Sequence, residues 1–178
     1  MEQSKLKGAI EWVLIIVCAV AVALVFRMFV AEVYIVPSGS MLETIQEGDR
    51  LVGEKVSYHF RDPEAGEVVT FDDPLQPGTT LIKRVIATGG QTVELKDGKV
   101  YVDGTPRAES YTLGKPSEPL QTPYDITYPY TVPDGCVWVM GDNRTNSKDS
   151  RYFGAVPVDS VSSRATFIFW PPSDAKGL

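Results

Sequence analysis

Residues 9–26 form an almost wholly apolar run, and this run restricts the possible folds more than any other feature of the chain. As an α-helix, a run of roughly 18 residues rises about 27 Å, close to the ~30 Å hydrocarbon core of a bilayer. Glu11 and Arg27 lie near its two ends, where long side chains can reach the membrane interface. The sequence therefore predicts a transmembrane anchor over residues 9–31, preceded by a short polar head over residues 1–8.

A cleavable signal peptide and a buried core helix are the two alternatives for this run. Arg27 and Glu32 interrupt any small-residue cleavage site, and the absence of a polar stripe disfavours a helix in a soluble core. Lys5 and Lys7 precede the run, whereas Arg27 alone follows it closely. Because positive charge accumulates on the cytoplasmic side, we predict a single-pass cell-membrane protein with a cytoplasmic amino terminus and an extracytoplasmic domain over residues 32–178.

Beyond the anchor, the hydrophobic pattern changes to that of short β-strands separated by turns. Asp97-Gly98 separates two apolar segments and predicts a hairpin with a type I′ turn. Residues 109–131 are rich in Pro, Ser, Thr and Tyr, and they predict an irregular excursion over the surface. We predict a mainly β fold, an antiparallel sheet packed as a barrel or sandwich, attached to the amino-terminal transmembrane helix.

Charge and composition exclude several classes of partner. The formal net charge is −6, and the first 32 residues hold equal numbers of acidic and basic side chains, so the excess of negative charge lies in the β domain. An acidic domain repels nucleic acid, so we expect no nucleic-acid partner. One His and two Cys cannot supply the four nitrogen or sulfur ligands of a structural zinc site, and we expect neither a metal nor a cofactor.

Two residues suggest chemistry. Ser40 lies in a turn-prone Pro-Ser-Gly-Ser-Met stretch a few residues past the end of the anchor, and Lys83 lies in the middle of an apolar strand. A lysine with an ordinary pKa is protonated at neutral pH, but burial can lower that pKa by ~3–5 and make the amine a base. We therefore predict Ser40 as a nucleophile and Lys83 as its base, with Arg84 on the opposite, wet face of the strand. Taken alone, Lys83 would be a sheet-edge lysine, and His59, the one histidine, is interpreted as a surface or packing residue.

Four motifs in order along the chain resemble those of bacterial type I signal peptidases, the membrane-anchored Ser-Lys proteases that remove signal peptides. They span residues 37–151. The motifs are Pro37-Ser38-Gly39-Ser40-Met41, Gly48-Asp49-Arg50, Ile82-Lys83-Arg84-Val85, and Met140-Gly141-Asp142-Asn143-Arg144 with Asn146-Ser147 and Asp149-Ser150-Arg151.

The resemblance implies a role for each matching residue. Ser40 is the nucleophile and Lys83 the general base, while the Ser38 hydroxyl and the Ser40 backbone N–H form the oxyanion hole. Ser147 donates or accepts a hydrogen bond with the lysine. Four charged residues support the site: Asp142, Arg144, Asp149 and Arg151.

The resemblance also implies the substrate and the domain plan. Exported preproteins bind as an added strand, with small residues at the first and third positions before the cut, and we interpret Val36 and Ile82 as walls of the two shallow pockets. A variable β insertion occupies approximately residues 90–133 of the catalytic domain. The membrane lipid is the second partner. An apolar group near the carboxyl end contacts either the bilayer or the core: Phe167, Phe169 and Trp170.

Three other functions remain open from the sequence. The runner-up is a related Ser-Lys protease with a narrower client, such as one exported substrate or a pilus component. An anchored β-barrel that binds a partner without chemistry is a second alternative. The third is a soluble self-cleaving repressor, which leaves the apolar run over residues 9–31 unexplained.

Overall fold

The computed structural model describes the backbone of residues 2–178 and the side chains of residue 8 and residues 10–178. The first element is helix α1, Glu2–Phe29, and its part Ile10–Phe29 is long and apolar enough to cross a membrane. None of that part is buried against the rest of the described chain. The helix ends slightly before the predicted anchor does, because strand β1 begins at Ala31. Most side chains of the predicted polar head lie outside the described residues.

Twelve strands follow in the described chain, in two antiparallel sheets. The eight-stranded sheet has the order β1-β2-β11-β3-β4-β9-β10, and β12 pairs with β11. Its strands are β1 (Ala31–Ile35), β2 (Arg50–Glu54), β3 (Val68–Asp72), β4 (Thr80–Thr88), β9 (Cys136–Met140), β10 (Val156–Pro157), β11 (Val161–Trp170) and β12 (Lys176–Gly177). The four-stranded sheet has the order β7-β6-β5-β8, with β5 (Thr92–Lys96), β6 (Lys99–Val102), β7 (Thr105–Pro106) and β8 (Tyr130–Thr131).

Register shifts in the two longest strands curl the large sheet. β11 shifts register against both β2 and β3, and β4 shifts between Val85 and Ala87 against β9. Each shift inserts a residue on one strand, which bends that strand and increases its local twist. The result is a mainly antiparallel β fold with a curled sheet, and it confirms the predicted fold class.

The apolar strand β9 lies at the centre of the core. Trp138 and Met140 pack against the small sheet, whereas Val137 and Val139 pack against β3 and β4. Alternate side chains of one strand point to opposite faces, so β9 joins the two hydrophobic clusters. This placement explains why its five residues form a nearly continuous apolar run in the sequence.

The small sheet is built on the predicted hairpin. Asp97 and Gly98 have φ angles of 52° and 72°, as a type I′ turn requires, and they connect β5 to β6. Between β7 and β8 the chain is irregular apart from a short 3₁₀ turn at Ser110–Thr112, as its composition predicts. The small sheet lies within residues 90–133, but whether that range is a variable insertion depends on related proteins and stays a prediction.

The aromatic residues near the carboxyl end are not in the core. Phe167, Phe169 and Trp170 are 44%, 38% and 51% exposed on β11. Core packing is therefore the wrong alternative for these three residues. Lipid contact remains as a proposal.

Candidate active site

The turn that carries Ser40 is held from both sides. Backbone hydrogen bonds join Val36 to the loop before β2, from Val36 N to Asp49 O at 2.9 Å and from Gly48 N to Val36 O at 2.8 Å. The 3₁₀ turn Gly39–Met41 follows, and the fully buried Met41 anchors it in the core. Ser40 is consequently 9% exposed, on a turn that the hydrophobic core holds in place.

Lys83 meets Ser40 from the middle of β4. Lys83 is only 3% exposed. Its Nζ lies 2.7 Å from Ser40 Oγ and 2.9 Å from the carbonyl oxygen of Ile82. Burial lowers the pKa of Lys83 to about 8, against the opposing effect of nearby carboxylates, of which Asp149 is the strongest. The structure thus brings together a buried serine hydroxyl and an amine with a depressed pKa, 43 residues apart in the chain.

Ser38 and Ser40 flank Gly39 on the same turn. Ser38 is exposed, has extended backbone angles and makes no side-chain hydrogen bond that caps the 3₁₀ turn. Its hydroxyl is therefore free of the cap that a serine in this position often makes.

Gly141 lets the loop after β9 approach the nucleophile turn. A Cβ atom at Gly141 would overlap Ser147 Oγ and the carbonyl oxygen of Ser40. Only glycine permits a backbone approach this close. The sequence alone did not single out Gly141, although a glycine directly after a buried strand is a signal of such an approach.

Ser147 lies beside this contact, but the implied hydrogen bond between Ser147 and Lys83 is absent from the described structure. The Ser147 hydroxyl is buried and has no partner among the described residues, while the amine bonds to Ser40 and to the Ile82 carbonyl. Backbone contact between the Gly141 loop and the nucleophile turn fixes where this serine lies.

Asp142 is fully buried and bonded by two residues of other elements. Arg84 donates to both of its carboxylate oxygens, at 2.9 and 2.7 Å, and Thr44 donates at 2.5 Å. The expectation that Arg84 stays in water is wrong, because the segment before β8 covers it. The guanidinium carbon of Arg84 lies 4.2 Å from the ring centroid of Tyr111. Asp142 and Arg84 therefore tie the Gly141 loop to the strand that carries Lys83.

Asp149 and Arg151 form a second buried pair at the start of the short helix α2, Ser150–Phe153. The guanidinium donates to both Asp149 oxygens at 2.9 Å, and Asp149 also accepts from the Gly141 backbone N–H at 2.9 Å. Asp149 caps the helix by accepting from the Arg151 N–H. This pair fixes the end of the loop that Gly141 begins.

Arg144 is paired with a residue of the irregular segment. Glu109 accepts from it at 2.9 and 2.7 Å, Ser117 accepts at 2.5 Å, and the Gly141 carbonyl accepts at 3.0 Å. All four charged residues that the resemblance implied as supports thus lie around this loop. The residues of the segment that contact them have no local sequence signal.

Val36 and Ile82 line one small cavity of ≈ 40 Å³ between the end of β1 and the start of β4. His59, in contrast, is exposed in the 3₁₀ turn Ser57–His59, and its Nε2 lies 3.1 Å from the Phe29 carbonyl oxygen at the end of α1. The base candidate in contact with Ser40 is Lys83, not this histidine. Among the described residues, no cluster of His, Cys, Asp and Glu is placed to hold a metal ion.

The chain is a serine protease, a peptide hydrolase, by its similarity to known proteins. It belongs to the signal peptidase family, peptidase S26, which matches residues 9–170. The chain is 46% identical over 166 residues to a probable signal peptidase I-1 of Synechocystis sp., an alignment that covers 89% of this chain and 81% of that relative. These matches confirm the resemblance stated from the motifs.

Other relatives extend this result. The signal peptidase I of Leptolyngbya laminosa is 40% identical over 161 residues, covering 86% of this chain and 75% of that protein. A probable thylakoidal processing peptidase 2 of Arabidopsis thaliana is 43% identical over 167 residues, but the match covers only 44% of that longer protein. A crystal structure of a signal peptidase I from Enterococcus faecalis V583 aligns with a TM-score of 0.48 at 30% identity, over 58% of this chain and 97% of that one.

Proposed function

We propose that this chain removes amino-terminal signal peptides from exported preproteins, with Ser40 as nucleophile and neutral Lys83 as general base. Membership of the signal peptidase family supports the reaction. The 2.7 Å contact between Lys83 Nζ and Ser40 Oγ supports the assignment of the two residues, because hydrogen-bond reach is the first requirement of a general base.

The amine takes the Ser40 proton as the hydroxyl oxygen attacks the scissile carbonyl carbon. The oxyanion that forms accepts hydrogen bonds from the Ser40 backbone N–H and from the hydroxyl of Ser38, which is exposed and does not cap the turn. Protonated Lys83 then gives the proton to the leaving amine, and an acyl-enzyme remains on Ser40. Water deprotonated by the same lysine hydrolyses that ester and restores the enzyme.

The buried ion pairs around Gly141 hold this geometry. Asp142 links the loop to β4, and Asp149 bonds to the Gly141 backbone. The buried Ser147 hydroxyl near the nucleophile turn has no partner in the part of the chain that the structure describes, and we assign it the lysine as partner once substrate is bound. Catalytic hydrogen bonds commonly tighten only in the substrate complex.

The small cavity lined by Val36 and Ile82 supports a proposal about the cleavage motif. Val36 and Ile82 line a space small enough to favour a small side chain, and an extended substrate places alternate residues on one face. We therefore propose cleavage after a small-x-small motif.

The anchor places the enzyme where its substrate is. The exposed apolar helix α1 spans the cell membrane once, with the amino terminus cytoplasmic and the β domain extracytoplasmic. Confinement of enzyme and membrane-bound preprotein to one surface raises their effective concentration. Phe167, Phe169 and Trp170 are exposed on β11, and we assign them contact with lipid.

The test is cleavage of a preprotein by the full chain in phospholipid vesicles. Ser40→Ala and Lys83→Met should each lower kcat/KM by more than about 10³-fold, as is typical when a nucleophile or its base is removed. Ser173→Ala and Lys176→Met are matched controls at exposed positions and should cleave at the wild-type rate. Full activity of either site variant would overturn the proposed mechanism, and a wild-type chain that leaves the preprotein intact would overturn the function.

A further inference from the structure

The irregular segment over residues 109–117 packs against the loop behind the nucleophile turn. Its Glu109 pairs with Arg144, and its Tyr111 ring lies under the Arg84 guanidinium. Both arginines belong to elements that contact the site. The segment is therefore part of the surroundings of the active site, although it supplies no group to the chemistry described above.

Asn143 holds the nucleophile turn through two carbonyl oxygens. Its backbone N–H donates to the Ser40 carbonyl at 3.1 Å, and its side-chain Nδ2 donates to the Gly39 carbonyl at 2.8 Å. Asn143 is only 6% exposed, so water competes little for these bonds. Asn143 thus binds the backbone carbonyl groups of both Gly39 and Ser40.

Lys115 stabilises the same orientation of the Asn143 amide from its oxygen side. Its Nζ donates to Asn143 Oδ1 at 3.0 Å. An ammonium has donors and no acceptor, so Oδ1 must face Lys115 and the N–H must face Gly39. If the amide flipped, its oxygen would face the Gly39 carbonyl oxygen, and two acceptors would meet in a buried place.

We infer that Lys115 is a positioning residue for the nucleophile turn and acts through the Asn143 amide; this inference rests on the proposed function. It gives the segment before β8 a role in the rate of the chemical step. The effect on Ser40 is indirect, because Lys115 contacts neither the serine hydroxyl nor Lys83 in the described structure.

The small sheet fixes the position of Lys115. The backbone N–H of Lys115 donates to Thr112 O at 3.1 Å, and the Ser117 N–H donates to Gly98 O at 2.8 Å. Gly98 lies in the turn between β5 and β6, so the segment is attached to the small sheet two residues after Lys115. The backbone position of Lys115 is therefore fixed relative to the small sheet, and its ammonium group reaches Asn143 from there.

The test compares Lys115→Met with Lys99→Met, which removes the same charge from an exposed lysine on strand β6 of the small sheet. Loss of a single orienting hydrogen bond should lower kcat for preprotein cleavage about five- to tenfold. KM should stay within about twofold, since the substrate gains and loses no contact. Lys115→Arg keeps a donor and should recover most of the lost rate, while Lys99→Met should match wild type.

A double-mutant cycle separates positioning from general destabilisation. In an Asn143→Ala background, Lys115→Met should have no further effect on kcat, because the amide that it orients is gone. In Lys115→Met, the ascending limb of the kcat/KM profile that is assigned to Lys83 should lie at the same pH as in wild type. Equal losses from Lys115→Met with and without Asn143 would overturn the inference.

Hydrogen exchange provides a readout that needs no activity. The amides of residues 36–45 should exchange faster in Lys115→Met than in Lys99→Met, in the absence of substrate. If wild type cleaves and Lys115→Met equals Lys99→Met in both kcat and exchange, the inference is wrong and the proposed function stands. If wild type cleaves no preprotein, the proposed function fails, and the exchange rates still decide whether Lys115 orders the turn.

Discussion

Replacing Lys83 by methionine should make the unfolding free energy less dependent on pH between about 8 and 10.5. The pKa of Lys83 is about 8 in the folded protein and 10.5 for an ordinary lysine. Below pH 8 the amine is protonated in both states, and the folded state carries the cost of burying that charge. A pKa difference of about 2.5 corresponds to about 3 kcal/mol of unfolding free energy.

The number of protons bound in each state decides whether the unfolding free energy rises or falls with pH. Between pH 8 and 10.5 the unfolded chain holds more protons at this lysine than the folded chain does, so the unfolding free energy of wild type rises with pH. Methionine has no titrating group and lacks this rise. At pH 7 the variant should be more stable than wild type by about 1–2 kcal/mol, because it avoids the buried charge but loses the bonds to Ser40 and the Ile82 carbonyl.

Urea unfolding of the full chain in detergent micelles, at half-unit steps from pH 6.5 to 10.5, measures this difference. Subtracting the unfolding free energy of the variant from that of wild type at each pH cancels every titration that the two proteins share. The difference should change by about 3 kcal/mol across the range, with a steepest slope of about 1.4 kcal/mol per pH unit. Lys176→Met, at an exposed position, should show a flat difference.

A flat difference for Lys83→Met would refute the reasoning. It would mean that the amine keeps an ordinary pKa in the folded protein. Only about one lysine in several thousand would then be neutral at pH 7, instead of about one in ten. The general-base assignment would lose its physical basis.

Three further changes test the surroundings of the site. Gly141→Ala should lower kcat by about 10²-fold or more, because its Cβ would displace Ser147 and the nucleophile turn; wild-type turnover would show that the loop has room. Ser38→Ala should lower kcat by ~10²–10³-fold with little change in KM, as loss of one oxyanion donor does, and an unchanged kcat would remove Ser38 from the oxyanion hole. Asp149→Asn leaves the buried Arg151 charge uncompensated, so urea unfolding should show a loss of about 3–5 kcal/mol; a loss below about 1 kcal/mol would contradict the buried pair.

Local sequence patterns predicted the elements that depend on local chemistry. The Asp97-Gly98 pair has the positive φ angles of a type I′ turn, and the apolar residues of β9 form a buried strand. From Ile10 onward, the long apolar run is an exposed helix. Each of these features is decided by propensity or periodicity over a few neighbouring residues.

Long-range pairing could not be obtained in this way. β11 lies between β2 and β3 although it follows them by some 90 residues or more, and Glu109 meets Arg144 across 35 residues. Such partners are chosen by the whole packing arrangement, which no local pattern encodes. For the same reason Arg84 was expected in water, whereas the segment before β8 covers it and gives it Tyr111 as a neighbour.

The nucleophile and base candidates were predictable because their residue types are unusual for their positions. A lysine inside an apolar strand and two serines around a glycine stand out against a hydrophobic background. Asn143 did not stand out, since its partner Gly39 lies 104 residues away. Its contact with Lys115 depends on how the small sheet packs on the large one.

The pH dependence of kcat/KM for preprotein cleavage tests the central claim most directly, measured on wild type and on His59→Ala. A general base with a pKa of about 8 predicts one ascending limb in the free enzyme, tenfold per pH unit below that value, and the same limb in His59→Ala. A limb near pH 6.5 that disappears in His59→Ala would assign the base to the histidine. That result would contradict the Ser40–Lys83 mechanism.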